Sequence, residues 1–135
     1  MRTMKPIQIL LAEDDADDRD IFHTFLSGRT DIAVMPIVEN GEELLAYLDS
    51  ISHPSHLPDI IILDHNMPRL SGRQTLDQLK GRQRYAHIPV LVYTTYADSQ
   101  LVESCLRSGA SMVVSKPLTQ EGYHELVDSF MNVLV

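Results

Sequence analysis

Ile60 to Leu63 form an unbroken apolar run that ends in Asp64, and Pro68 and Gly72 shape the stretch beyond it. A run of β-branched and aliphatic residues without polar alternation reads as a strand covered on both faces, in the middle of a parallel sheet. Asp64 then stands at the strand's carboxyl end, where open parallel α/β sheets bind their ligands. The pattern repeats along the chain. Ile7–Ala12 runs into Glu13-Asp14-Asp15, Ile88–Tyr93 into Thr94, and Ser111–Ser115 into Lys116-Pro117. An acid after a strand is also a common helix cap, and that reading suits Asp15 best, directly before a helical pattern.

Strands of a parallel sheet share their carboxyl edge, so Glu13, Asp14, Asp64, Thr94 and Lys116 project from one side. Three unpaired carboxylates in a small volume repel by several kcal/mol, on the order of the cost of burying a charge, so positive charge must sit among them. Lys116 supplies part of it and a hard divalent cation the rest. Carboxylate and carbonyl oxygens suit Mg²⁺, commonly held by one or two carboxylates together with a phosphate. Asp64 keeps a free oxygen. A carboxylate can form an acyl phosphate, and a metal with a lysine stabilises the charge of a transferring phosphoryl group. Thr94 is the hydrogen-bond donor to the phosphoryl oxygen.

The elements that place these residues alternate regularly. Ile21, Phe22, Phe25 and Leu26 recur at helical spacing, and the helix is expected to stop at Ser27-Gly28 with the glycine in a left-handed cap. Ile32 to Val38 reads as a strand weakened by Pro36, which cannot donate to a ladder and marks an edge. Helices follow with Leu44, Leu45 and Leu48 after Asn40-Gly41, with Leu76 and Leu79 between Gly72 and Lys80-Gly81, and with Leu101, Val102, Cys105 and Leu106 closing on Gly109. The last, from about Thr119 to Val133, turns Leu126, Val127 and Phe130 inward. Five strands thus alternate with five helices, which implies right-handed crossovers and an α/β sheet covered on both faces.

Size and composition agree. The 135 residues, 44% of them hydrophobic, fit one domain with one sizeable core. A formal charge of −8 argues against a nucleic-acid surface, which needs clustered Lys and Arg. No apolar run nears the roughly 20 residues of a membrane span, and Met-Arg-Thr-Met-Lys-Pro leads into a strand without a signal-peptide core, so a cytoplasmic protein is expected. The single cysteine, Cys105, fits a reducing compartment and a role in helix packing. Of the six histidines, His53 and His56 lie in a polar Pro/Ser loop without a third ligand, His65 points away from Asp64, and His23, His87 and His124 are peripheral.

From about Ile7 to Val133 the chain resembles the receiver domain of two-component response regulators. The resemblance rests on Ile9-Leu-Leu-Ala-Glu-Asp-Asp15, Leu63-Asp-His-Asn-Met-Pro-Arg-Leu-Ser-Gly72, Val92-Tyr-Thr-Thr95 and Ser115-Lys-Pro117. Twenty-two positions separate Thr94 from Lys116, as in chemotaxis-type members. It implies a flavodoxin-like, doubly wound five-stranded sheet in the order 2-1-3-4-5, an order for which this family is itself a standard illustration. It further implies that Asp64 takes phosphate from a histidine kinase or histidine phosphotransfer protein. Glu13, Asp14 and Asp64 would hold Mg²⁺ with the backbone carbonyl of Asn66, while Thr94 and Lys116 bind the phosphoryl group. Self-catalysed transfer and autodephosphorylation, rather than turnover of a substrate, are expected. The peptide before Pro117 is expected to be cis, aiming Lys116 inward.

The chain departs from the family pattern in places. Val113 stands where the family carries its switch aromatic, an acidic position holds Glu rather than Asp, which lengthens the reach to the metal, and Tyr96 stands two residues after Thr94. No output domain is expected after Val135, so a stand-alone receiver is expected to act by binding a partner or passing phosphate on. Two other readings stay open on the residues alone. A hydrolase with an Asp nucleophile wants an acid two positions on, where Asn66 stands; a pseudo-receiver keeps only the fold.

Overall fold

Strand β1 (Ile7–Ala12), β2 (Ile32–Val34), β3 (Ile60–Asp64), β4 (Val90–Thr94) and β5 (Met112–Ser115) pair in parallel in the order β2-β1-β3-β4-β5. This computed structural model describes residues 5–134; the reading of Met1 to Met4 as leaderless lies outside the described residues. Helices α1 (Ala16–Leu26), α2 (Gly41–Ser50), α3 (Gly72–Lys80), α4 (Ser99–Arg107) and α5 (Gln120–Val133) link the strands, with one 3₁₀ turn at Pro54–His56. The expected order and the flavodoxin-like doubly wound architecture are both present.

Strand parity divides the core in two. Leu10, Ile61, Leu63, Val90 and Val92 face α2, α3 and α4, packing on Leu44, Leu48, Leu76, Leu79 and Cys105. Their neighbours Ile9, Leu11, Ile60, Ile62, Leu91 and Tyr93 face α1 and α5, packing on Phe22, Leu26, Tyr123, Val127 and Phe130. Side chains alternate faces along a strand, so continuing each row by two residues sends Glu13, Asp64 and Lys116 to the α1/α5 side with Tyr93, and Thr94 to the α4 side. The register aligns them: Ala12 lies beside Leu63, Asp64 beside Tyr93, and Thr94 beside Ser115.

Three local expectations change. β2 stops at Val34, because Pro36 has no N–H to continue the ladder; the chain rejoins the sheet at Val38, which bridges Ala12. Its place at the sheet edge is as expected. Gly28 does not adopt the left-handed cap: α1 ends at Ser27 with φ −62°, and the Arg29 amide donates to the Leu26 carbonyl at 3.1 Å in a right-handed turn. Left-handed glycine closes α4 instead, at Gly109 with φ 107°. On α4, Cys105 is fully buried as expected, whereas Leu106 is 47% exposed and faces outward.

Gly72 matters most for the site. A Cβ there would lie 2.6 Å from the carbonyl oxygen of Asp64 and 2.8 Å from Cα of His65, so only glycine lets the start of α3 press against the end of β3. The Gly72 amide donates to the His65 carbonyl at 3.0 Å, and the Ser71–Gln74 capping box secures the helix start. Replacing Gly72 by Ala forces backbone atoms apart, and such overpacking costs about 1–3 kcal/mol. Urea unfolding of Gly72→Ala should show a loss of that size, while Gly28→Ala, whose Cβ meets nothing within 4 Å, should stay within about 0.5 kcal/mol of the parent.

Candidate functional site

Glu13 follows β1 directly and is fully buried. Such a carboxylate needs partners, and it has them. The Tyr93 hydroxyl donates to Glu13 Oε1 at 2.6 Å, Lys116 Nζ lies 3.0 Å from the same oxygen, and the Asp15 amide donates to Oε2 at 3.1 Å. Asp15 caps α1, accepting from the Asp18 amide at 3.0 Å, as its position predicted. Asp14 is exposed at the rim.

Asp64, at the end of β3, is 2% exposed, and its Oδ1 accepts from the Asn66 amide at 3.3 Å. Lys116 reaches over from the end of β5. Its ammonium lies 3.5 Å from Asp64 Oδ1 and 5.1 Å from the centre of the Tyr93 ring, and it donates to Asp18 Oδ2 of α1 at 2.8 Å. Thr94, also 2% exposed, sits on the other side of β4, where the Asn66 side chain donates to its hydroxyl at 3.4 Å. One oxygen from each of Glu13, Asp14 and Asp64 falls within 4.8 Å of the others.

Two unit charges about 4 Å apart interact by roughly 4 kcal/mol near a protein surface, so one ammonium cannot offset every repulsion in this group. The deficit appears as protonation. Burial, then the hydrogen bond and charge of Glu13 and the hydrogen bond of Asp14, push Asp64 up to about 8, with Lys116 only partly opposing them. Burial works against the Lys116 ammonium, yet the hydrogen bonds to Asp18 and Glu13 and the nearby carboxylates hold it above its ordinary value, firmly charged. Burial and Glu13 raise the Tyr93 phenol too, so it stays a donor. An all-oxygen donor set short of positive charge fits a hard divalent cation such as Mg²⁺, with Glu13, Asp14, Asp64 and the Asn66 carbonyl as the residues to hold it.

Of the sequence-predicted residues, Glu13, Asp14, Asp64 and Lys116 meet in one cluster, and Thr94 joins through Asn66. The Lys116–Pro117 peptide is not cis: among the described residues no cis bond occurs. Lys116 is aimed inward regardless, because its strand parity and three carboxylates hold it there. Tyr93 and Asp18 were missed as partners of Glu13 and Lys116. Parity did hold the signal for Tyr93, since it shares a row with Leu91 toward α1 and α5. Asp18 lies one helical turn past Asp15, which turns it back toward the crevice.

His53, His56, His23 and His87 are exposed and His124 half-buried, as expected of histidines outside the site. His65 lines an open groove of about 590 Å³ beside Thr94, with Arg73, Tyr96, Asp98 and Leu101, and burial lowers its pKa. Tyr96 is 73% exposed there, and Val113 packs half-buried against the α4 side of the core.

The response regulator receiver domain family model matches residues 9–128. A hybrid signal transduction histidine kinase D from Dictyostelium discoideum is 38% identical over 77 residues, covering 57% of this chain and 5% of that protein. A protein-glutamate methylesterase/protein-glutamine glutaminase from Treponema pallidum is 31% identical over 126 residues, covering 92% of this chain and 30% of that protein. The chain therefore spans under a third of the length of either. Among solved structures, the Mn(2+)-bound form of response regulator Rcp1 superposes with TM-score 0.76 at 26% identity, covering 93% of this chain and 91% of that one. A response regulator from Chloroflexus aurantiacus gives TM-score 0.80 at 25% identity, covering 96% and 98%.

Folding raises Asp64 from 3.8 to about 8, so the folded chain keeps a proton that the unfolded chain releases across that interval. The stability linked to that proton is complete below the ordinary carboxylate range and is lost as pH rises through about 8. Asp64→Asn removes this dependence. In metal-free buffer its melting temperature should exceed that of the parent by an amount that grows from about pH 4 to 8 and then levels, reaching at least about 1 kcal/mol, roughly 3–5 °C.

Proposed function

We propose, for a chain that belongs to the response regulator receiver domain family, that Asp64 is its phosphoacceptor and Lys116 and Thr94 the groups that bind the phosphoryl oxygens. The chain is a signalling phosphoacceptor of the two-component type, a class that receives phosphate from histidine kinases and works by phosphorylation on aspartate. The observation that carries the assignment to Asp64 is its setting: a buried carboxylate at the central strand's end, 3.5 Å from a charged ammonium and beside two more acids.

The chemistry follows from those groups. Asp64 attacks the phosphorus of a phosphohistidine donor, so that an O–P bond forms as the N–P bond breaks and the electron pair leaves on the imidazole nitrogen. Lys116 and the Thr94 hydroxyl then face the new phosphoryl oxygens from the two sides of β4. Mg²⁺, when bound, supplies the further positive charge that a transferring phosphoryl group requires. Water attack at the acyl phosphate returns Asp64 to its free form, a self-catalysed loss set by how open the site is. The groove beside Thr94, with Tyr96 at its wall, is where that water enters. Asn66, two residues past Asp64, carries an amide rather than an acid and donates to Thr94, so no general acid stands ready for hydrolysis of phosphate esters.

The donor proposed is a sensor histidine kinase or a histidine phosphotransfer protein, in line with the hybrid histidine kinase among the relatives. A cytoplasmic location suits such a partner; among the described residues no helix is long and apolar enough to cross a membrane.

Incubation with acetyl phosphate or a phosphoramidate and Mg²⁺, followed by intact mass, should add one phosphoryl group to the parent and none to Asp64→Asn. An adduct on both would move the acceptor elsewhere. Asp14→Ala should lose phosphorylation while its metal-free stability holds or rises, since removing one of several repelling carboxylates relieves strain as it removes a metal ligand. Urea unfolding and the same mass assay, run side by side, check both halves.

A further inference from the structure

Lys116 faces three carboxylates, and they do not hold it equally. Glu13 is fully buried and fixed from two sides, by the Tyr93 hydroxyl at 2.6 Å and the Asp15 amide at 3.1 Å, so its 3.0 Å contact with the ammonium cannot yield without disturbing the core. Asp64 lies farther, at 3.5 Å, a distance that satisfies an ion pair but not a good hydrogen bond. Asp18 takes the short contact, 2.8 Å, and is the side chain to which Lys116 donates a hydrogen bond. Asp18 is also the most exposed of the three, at 28% of its side chain against 3% for Asp64 and none for Glu13.

We infer that Asp18 is a restraining partner of Lys116, holding the ammonium toward α1 and away from Asp64 until a phosphoryl group arrives. The inference rests on Asp64 being the phosphoacceptor. Phosphorylation replaces the single charge of an Asp64 carboxylate by a group of charge approaching two with three acceptor oxygens, which draws the ammonium across. Asp18 is the partner that gives way, because 28% of its side chain already meets water, which replaces the lost hydrogen bond at small cost. Glu13 stays, held by Tyr93. The restraint belongs to the charge on α1, one turn past its cap, and sets the threshold for engaging the phosphoryl group. The side chain of Asp18 pairs with Lys116, so its effect on Asp64 passes through Lys116 and makes it a positioning residue.

The test uses beryllium fluoride with Mg²⁺, a phosphoryl mimic whose binding is read by calorimetry without turnover, on the full chain. Asp18→Asn keeps the shape and drops the charge, and it should bind the mimic several-fold more tightly than the parent, with unfolding in metal-free buffer as a check that it folds. Asp18→Glu, which keeps the charge, should stay close to the parent. Unchanged or weaker binding by Asp18→Asn, or equal behaviour of the two variants, overturns the restraint. A parent chain that binds no mimic at all fails at Asp64 instead, and so separates the two readings.

Discussion

Mutual repulsion among Glu13, Asp14 and Asp64, with one oxygen of each within 4.8 Å of the others, is the constraint to which the carboxyl edge of the sheet is built. At about 4 kcal/mol per close pair, these charges could not be held together by packing alone. Three devices offset them. Lys116 supplies a full positive charge from β5, the Tyr93 hydroxyl and the Asp15 amide satisfy both oxygens of Glu13, and burial with the neighbouring acids pushes Asp64 up to about 8, which favours its protonated form. The third is provisional by nature, because a proton leaves when a better cation enters. An all-oxygen cluster balanced in this way suits a hard divalent cation.

The fold explains why these groups can meet at all. Parallel strands put Glu13, Asp64, Thr94 and Lys116 at one edge, and period-two alternation then sorts them: the acids and the lysine toward α1 and α5, the threonine toward α4. Groups from both faces of the sheet thereby flank the Asp64 end of β3. Asn66 joins them, since it follows Asp64 in the chain yet donates to Thr94 at 3.4 Å. Gly72 sets how tightly this edge closes, because its bare Cα lets α3 approach the Asp64 carbonyl. Val113 packs half-buried on the α4 side, and on the other side the hydrogen bond from Lys116 to Asp18 joins the cluster to α1.

Much of this was legible in the residues. Unbroken apolar runs located four of the five strands well, because buried parallel strands have no polar alternation to blur them, and the residues ending those runs are the ones that gather at the sheet's carboxyl edge. β2 was drawn too long because the apolar pattern continued past Pro36, whose missing N–H ended the ladder first. The left-handed cap assigned to Gly28 failed because glycine permits that conformation without requiring it; the backbone hydrogen bond of Arg29 decided the turn. The cis peptide at Pro117 was carried over from the family, and strand parity with ion pairing aims Lys116 without it. Tyr93 escaped notice as a site residue because its burial looks like ordinary core, and only the register beside Asp64 brings its hydroxyl to Glu13. Asp18 escaped because a helix acid near an N-terminus already has a sufficient explanation in the dipole.

The central claim is that the acidic cluster lacks positive charge and keeps a proton on Asp64 to make up the difference. Calorimetric titration of the metal-free chain with Mg²⁺ at pH 7, repeated in buffers of differing ionisation enthalpy, counts the protons released per ion bound. Release of about one proton is predicted, falling toward zero above the range in which Asp64 titrates. Binding with no proton release at pH 7 would show that Asp64 is already ionised, and would contradict the account.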